Sequence, residues 1–307
     1  MTGGGEVRLQ PLTLGEIFDR TITLYVQNFT AFAVIAAMTV IPVTLCSYFA
    51  TAGADQWSQL LAQMQHPGSA HDAPAFTAWY AAVIALSLLL TPFTYVALAS
   101  AVNELYTSAP IDWRACYGLA MRHTGGIILT ILCEIVVLSA AVFAGALIVG
   151  VLFGLAVLSL QFSRVFGGIL MIPAAAAGIA YVLFFLLCYL AAAMAFVAIG
   201  AEQLSFSQAI RSGFVRVFNR QSLWRSMLIC AAIAVFELAL MLVVGGAAAM
   251  AALIVHQPVV SAVLQAVTAI VSTGFLGALL TVYYFDVRVR REGLDVQAAL
   301  ETLQPQA

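Results

Sequence analysis

Apolar residues run through this chain in long unbroken stretches, and polar residues collect between them. Six stretches reach the roughly 20 residues a helix needs to cross a ~30 Å hydrocarbon layer. They are residues 29–50, 77–102, 125–160, 169–201, 227–255 and 259–285. None shows the apolar/polar alternation of a barrel strand, so the pattern predicts helices. Pro42, Pro92 and Pro173 fall inside spans, where membrane helices tolerate them. Small residues at 174–178, 191–193 and 245–249 predict close helix–helix approach. The third stretch is 36 residues long, about 54 Å as one straight helix. It reads as one long tilted helix, or as a helix broken near Gly145, Gly150 or Gly154 with an interfacial tail. Two spans here would reverse every later connection.

Three of the polar connections are themselves patterned. Thr13 is followed by Glu16, a capping-box spacing, and then by Leu14, Ile17, Phe18, Thr21, Leu24 and Tyr25 on one helical face. Ser205 is followed by Gln208, with Phe206, Ile210, Phe214, Val217 and Phe218 on the apolar face. The middle connection starts near Asp112, with Trp113, Tyr117 and Leu119 as apolar anchors. Each amphipathic stretch leads straight into a span. The expected architecture is therefore an all-α integral membrane protein with six transmembrane helices arranged as three hairpins. A cytoplasmic interfacial amphipathic helix precedes each hairpin. A single membrane domain covers 1–307, with a disordered N-terminus at 1–12, repeat units at 13–102, 112–201 and 205–285, and a tail at 286–307. Three units running in one direction place any internal axis along the membrane normal.

Composition agrees and adds exclusions. The 307 residues are 63% hydrophobic and 8% charged, against roughly 25% charged in soluble proteins. All twelve basic residues are Arg. Without Lys the chain has no P-loop, Schiff-base Lys or Ser–Lys dyad. A net charge of −2 gives no bulk attraction to nucleic acid. Cys46, Cys133, Cys188 and Cys230 lie in apolar runs and Cys116 in a polar connection, with no CxxC pair, so neither a disulfide framework nor a zinc site is expected. The first ten residues lack a basic region leading into a short apolar run, so no cleavable signal peptide is expected. Eleven of the twelve Arg lie before the first span, in the even-numbered connections or after the sixth span, and only Arg164 lies opposite. By the positive-inside rule both termini are cytoplasmic.

Two sets of residues are candidates for function. Glu134 and Glu237 lie well inside the third and fifth spans, about 13 and 15 Å from the nearer end. No basic residue lies at similar depth, so a proton or a bound cation must offset each charge. The bland alternative is a protonated Glu hydrogen-bonded between helices. Arg211, Arg216, Arg220 and Arg225, with Trp224, make a basic segment suited to anionic headgroups or a partner protein. Its bland alternative is a topology signal only. His66, His71 and Asp72 lack a fourth ligand and read as an ordinary polar loop. Asp286 with Arg290, and Arg288 with Glu292, have ion-pair spacing at the end of the last span. Asn103 and Glu104 read as interfacial hydrogen-bonding residues, and Gln265 as a helix–helix contact rather than a ligand.

Four blocks carry a family resemblance. LTLGEIFDRTITLYVQNF at 12–29 resembles the start of the bacterial family of glycerophosphoryl diester phosphodiesterase membrane domains. TPFTYVALASAVNELY at 91–106, FVAIGAEQLSFSQAIRSGFVRVFNRQSLWR at 196–225 and YYFDVRVRREGLD at 283–295 resemble it too. The blocks occur in order over nearly the whole chain. Members often carry basic residues where Val26 and Gln27 stand, a departure that would weaken the hold of the first amphipathic helix on anionic lipid. The family name comes from fusions to a soluble catalytic barrel that needs a His pair and metal-binding carboxylates. This chain has only His66, His71, His123 and His256 and no soluble segment of barrel length. The resemblance thus implies the membrane module without the phosphodiesterase.

The functional expectation is a non-enzymatic module of the bacterial inner membrane, without cofactor or metal. It would organise membrane lipids, or a partner membrane protein or ATPase, through its cytoplasmic helices, and would not bind nucleic acid. The alternative is a small-solute or lipid transporter using Glu134 and Glu237. A membrane enzyme ranks last, since no nucleophile–base or metal-ligand set is present.

Overall fold

The computed structural model describes residues 11–51, 73–107, 109–255 and 258–292. Residues 52–72, with His66, His71 and Asp72, lie outside the described residues, as do the ten N-terminal residues and the tail beyond 292. The described residues form nine helices and no strand. Three helices are short: α1 (Leu14–Gln27), α4 (Trp113–Arg122) and α7 (Phe206–Val217). The others are α2 (Phe29–Thr51), α3 (Ala73–Tyr106), α5 (Thr124–Phe162), α6 (Arg164–Glu202), α8 (Leu223–Val255) and α9 (Pro258–Glu292). These six are long and apolar enough to cross a membrane, the mark of a multi-pass membrane protein. The third apolar stretch is one continuous helix through Gly145, Gly150 and Gly154. Only Ser163 separates it from α6, and the Ser163 Oγ accepts from the Phe166 N–H at 3.4 Å. The last helix runs on to Glu292, so residues 286–292 continue the helix of the last span.

The short helices start where their caps stand. The Thr13 N–H donates to Glu16 at 2.6 Å and the Glu16 N–H donates to the Thr13 Oγ at 3.3 Å. These bonds from Thr13 hold the Glu16 carboxyl below its usual range. Asp112 accepts from the Arg114 N–H at 3.0 Å. Gln208 accepts from the Ser205 Oγ at 2.9 Å. Helix α6 ends at Gln203 in the left-handed region, φ 54°, which turns the chain into α7 within three residues. The face read from periodicity on α1 is the buried one: Ile17, Thr21 and Tyr25 are covered. On α4 the fully buried residues are Cys116 and Ala120, and burial pushes the Cys116 thiol up to about 12.

The long helices divide into an inner and an outer set. Helices α3, α6 and α9 touch one another, and α2, α5 and α8 each lean on two of them. Helix α2 packs on α3 and α9, α5 on α6 and α3, and α8 on α9 and α6. Each short helix lies on an inner helix: α4 and α7 on the one that precedes them, α3 and α6, and α1 on the last, α9. Burial differs most between α6 and α5, 67% of the apolar window against 6%. The tightly packed part is the end carrying the short helices, where Ile17, Leu98, Ile127, Met194, Ile199, Ile229, Tyr283 and Tyr284 are buried. Toward the other end the helices splay and present Phe49, Phe143, Ile172 and Met241 outward.

Small residues set the closest approaches. Ala191, Ala192, Ala193, Ala195, Ala198 and Gly200 form a buried stripe on α6. A Cβ on Gly200 would collide with the Val96 carbonyl on α3, and one on Gly213 with the Ala191 carbonyl on α6. Both obstacles are backbone, which cannot swing away. Gly245 and Gly246 face open space, so the small stretch at 245–249 makes no such contact at those two positions.

One carboxylate ties the ends of the bundle together. The Asp286 side chain, fully buried on α9, accepts from the Leu12 N–H at 2.7 Å. It pairs with Arg225 of α8 at 3.0 Å and with Arg290 at 3.1 Å. Both Arg side chains also donate to the Leu12 carbonyl, each at 2.7 Å. The segment leading into α1 is thereby fastened to the last span.

Two outcomes follow for thermal unfolding of the purified protein. Gly213→Ala should destabilise by about 1–3 kcal/mol through overpacking, whereas Gly150→Ala, with open space around it, should be neutral or slightly stabilising. Asp286→Asn removes the charge between two part-exposed Arg side chains and should cost roughly 2 kcal/mol, below the 3–5 of a fully buried pair. Asp19→Asn on the exposed face of α1 serves as control; equal melting curves for D286N and D19N would refute the clamp.

Candidate functional site

The two intramembrane carboxylates stand in neighbouring cavities. Glu134 projects from α5 into a cavity of about 200 Å³ against Ser87, Thr91 and Tyr95 of α3 and Tyr189 and Phe196 of α6. Its Oε1 is buried and has no hydrogen-bond partner. Glu237 projects from α8 into a cavity of about 420 Å³ between α6 and α9. It accepts from the Ser272 Oγ at 2.8 Å. Tyr95, Tyr189 and Ala193 line both cavities and form their common wall. Tyr189 lies within electrostatic range of both carboxylates. The residues lining the two cavities include no Arg and no His.

The remaining walls are apolar. Leu88, Ile135 and Leu138 border the first cavity and Leu186, Ile233 and Leu276 the second. Acid counting alone finds Glu134 and Glu237 and misses Tyr95, Tyr189 and Ser272. A signal was available on α3: Ser87, Thr91 and Tyr95 recur every four residues in an otherwise apolar run, which puts three hydroxyls on one helical face. The third place where an outer helix meets the inner set, between α2 and α9, holds a cavity of about 230 Å³ with no charged lining residue. Between α2, α3 and α4, Thr39 hydrogen-bonds Thr94, and the Tyr117 hydroxyl donates to the Ile35 carbonyl at 2.7 Å.

The basic segment separates into two kinds of Arg. Arg216 is buried: it donates to the Ser212 and Tyr284 hydroxyls, pairs with Glu202 at 3.2 Å and lies 4.2 Å above the Tyr284 ring. Arg225 belongs to the Asp286 clamp. These two internal roles replace the headgroup contact that charge spacing gave them. Arg211, Arg220 and Trp224 are exposed. Arg211 and Arg291 line a depression of about 310 Å³ with Gln208, Ser212, Val215 and the buried Arg216. Arg291, two helices further along the chain, reads in sequence as one more charge after the last span.

The ion-pair spacings resolve unequally. Asp286 and Arg290 pair as spaced, whereas Arg288 reaches Glu202 at 3.4 Å and the Glu292 side chain lies outside the described residues. Glu104 accepts from the Asp112 N–H at 3.1 Å, joining the end of α3 to the cap of α4. Gln265 is exposed instead of packed between helices.

None of the known protein-family models, curated proteins and solved structures compared with the chain matches it.

Proposed function

We propose that the chain is a non-enzymatic module of the bacterial inner membrane, with both termini cytoplasmic, that gathers anionic lipid or an acidic partner protein at its cytoplasmic face. The observation that carries this reading is the depression lined by Gln208, Arg211, Ser212 and Arg291, with Arg220 and Trp224 exposed on the same segment. Two guanidinium groups beside hydroxyl and amide donors make a site for a phosphate or carboxylate. Exposed Trp and Arg next to a span are the residues that settle at headgroup level. Ten of the eleven Arg among the described residues fall at the end that carries the short helices, which supports a cytoplasmic assignment for that end.

In this reading the module is three repeats, each an interfacial helix followed by a hairpin of an outer and an inner span. The cyclic contact pattern supports it: each outer helix rests on its own inner helix and on the preceding one, and α9 closes the ring onto α1 and α2. The likeness to the glycerophosphoryl diester phosphodiesterase membrane domains points the same way, to a membrane part without the catalytic barrel. An ATPase or a second membrane protein would dock on the same basic face. A second reading, a transporter of a small solute or lipid, is favoured by the cavities at Glu134 and Glu237.

Reporter fusions after residues 60 and 257 should then report the outside, and fusions after 115, 215 and 300 the cytoplasm. A cytoplasmic signal after residue 60 would overturn the layout. Replacing Arg211, Arg220 and Arg291 together with Gln should weaken retention of anionic lipid by roughly 1 kcal/mol per Arg at low salt, an effect that shrinks as salt is added. Arg216→Gln should instead lower thermal stability, because it breaks a buried network. Equal co-purified anionic lipid in wild type and triple variant would reduce the segment to an orientation signal.

A further inference from the structure

We infer that the Glu134 and Glu237 cavities are two binding sites for a single-chain amphiphilic amine that enters from the hydrocarbon, with its protonated nitrogen on the carboxylate and its chain along the apolar walls. The argument begins with an unmet requirement. A polar atom inside a membrane protein without a partner is unfavourable, since lipid offers no donor in place of water. The Glu134 Oε1 is such an atom, and no Arg or His lines its cavity to satisfy it. A cation entering the cavity from outside the protein would complete it.

Packing alone does not call for these acids. The crevice between α2 and α9 is built on the same plan, an outer helix against the inner set, and has no charged lining residue. Its polar lining residues are the uncharged Thr44 and Tyr48. All three crevices leave space, and an acid stands in only two of them.

The walls define the ligand. Leu88 and Tyr189 on the first cavity are about half exposed, which opens it sideways to the surrounding phase. Volumes of about 200 and 420 Å³ fall below or near the lower end of the range for drug-sized ligands, roughly 300–1,000 Å³. They suit one alkyl chain rather than a two-chain lipid. The shared Tyr95 and Tyr189 supply hydroxyl acceptors and ring faces, both of which attract an alkylammonium. Glu237 already accepts from Ser272, so one of its oxygens is engaged and the Glu134 site should be the tighter of the two. The inference stands whether the amine is held or moved, and it is independent of the basic face.

The test uses the full chain in nanodiscs of phosphatidylcholine, with radiolabelled dodecylamine as probe. Saturable binding of two equivalents is expected in wild type. Glu134→Gln should remove the tighter site, Glu237→Gln the weaker, and the double variant should leave only non-saturable partitioning. Dodecanol, with the same chain and no charge, should compete at least tenfold less well. Saturable uptake unchanged in the double variant would overturn the proposal, and so would equal competition by dodecanol. A wild-type measurement covers the case in which a variant fails to fold. An apolar carbodiimide should label Glu134 from the lipid phase, and dodecylamine, unlike dodecanol, should slow that labelling at least tenfold. Labelling indifferent to the amine, or no labelling at all, refutes the site. Failure here leaves the anionic-lipid result at Arg211, Arg220 and Arg291 untouched, because phosphatidylcholine carries no net charge.

Discussion

In hydrocarbon two helices gain nothing by hiding apolar surface from lipid, so a bundle coheres by how near its backbones come. Everything else here depends on the alanine stripe of α6, Ala191 to Ala198, and on Gly200 and Gly213 at its contacts. These positions let α3 and α7 lie backbone to backbone against α6. The stripe occupies one half of α6, so the bundle is tight at that end and splayed at the other. Ala192, Ala193 and Phe196 of this stretch also line the Glu134 cavity, and Ala193 the Glu237 cavity.

Polar contacts fasten the same end in a regular way. Each inner helix finishes near an acid: Glu104 on α3, Glu202 on α6 and Asp286 on α9. Glu104 receives the backbone of the next cap, Glu202 receives Arg216 and Arg288, and Asp286 receives Leu12, Arg225 and Arg290. The contact at Asp286 joins residues 274 positions apart and makes a linear chain into a closed arrangement. Desolvated acids of this kind stabilise only when nearly every oxygen has a donor, a condition that Asp286 meets with bonds to both oxygens.

The sequence was most legible where one force dominates. Long apolar runs and capping spacings located the spans and the starts of α1, α4 and α7, because hydrocarbon thickness and unsatisfied helix ends leave few options. Span ends were read short: α3 reaches Tyr106 and α9 reaches Glu292. Apolar runs stop where water begins, whereas backbone hydrogen bonding carries the helix on. Arg216 and Arg225 were indistinguishable in sequence from Arg211 and Arg220. Which guanidinium turns inward depends on Glu202 and Asp286, contributed by other helices. The cavities were half legible. Glu134 and Glu237 announce themselves by charge, but Tyr189 becomes meaningful only once α6 is known to stand between them.

The hairpin of α5 and α6 has a consequence for the bilayer itself. Each arm has 39 residues, about 58 Å at 1.5 Å per residue, and the tip holds Gln161, Ser163 and Arg164, which belong in water. Even a ~45 Å layer that includes both headgroup regions would need a tilt of about 40°, twice the usual ~20°. Lipid beside this hairpin must thicken or the hairpin must lean, and each costs fractions of a kcal/mol per Å of mismatch. Where both arms cross a bilayer, that mismatch is smallest among long, ordered acyl chains.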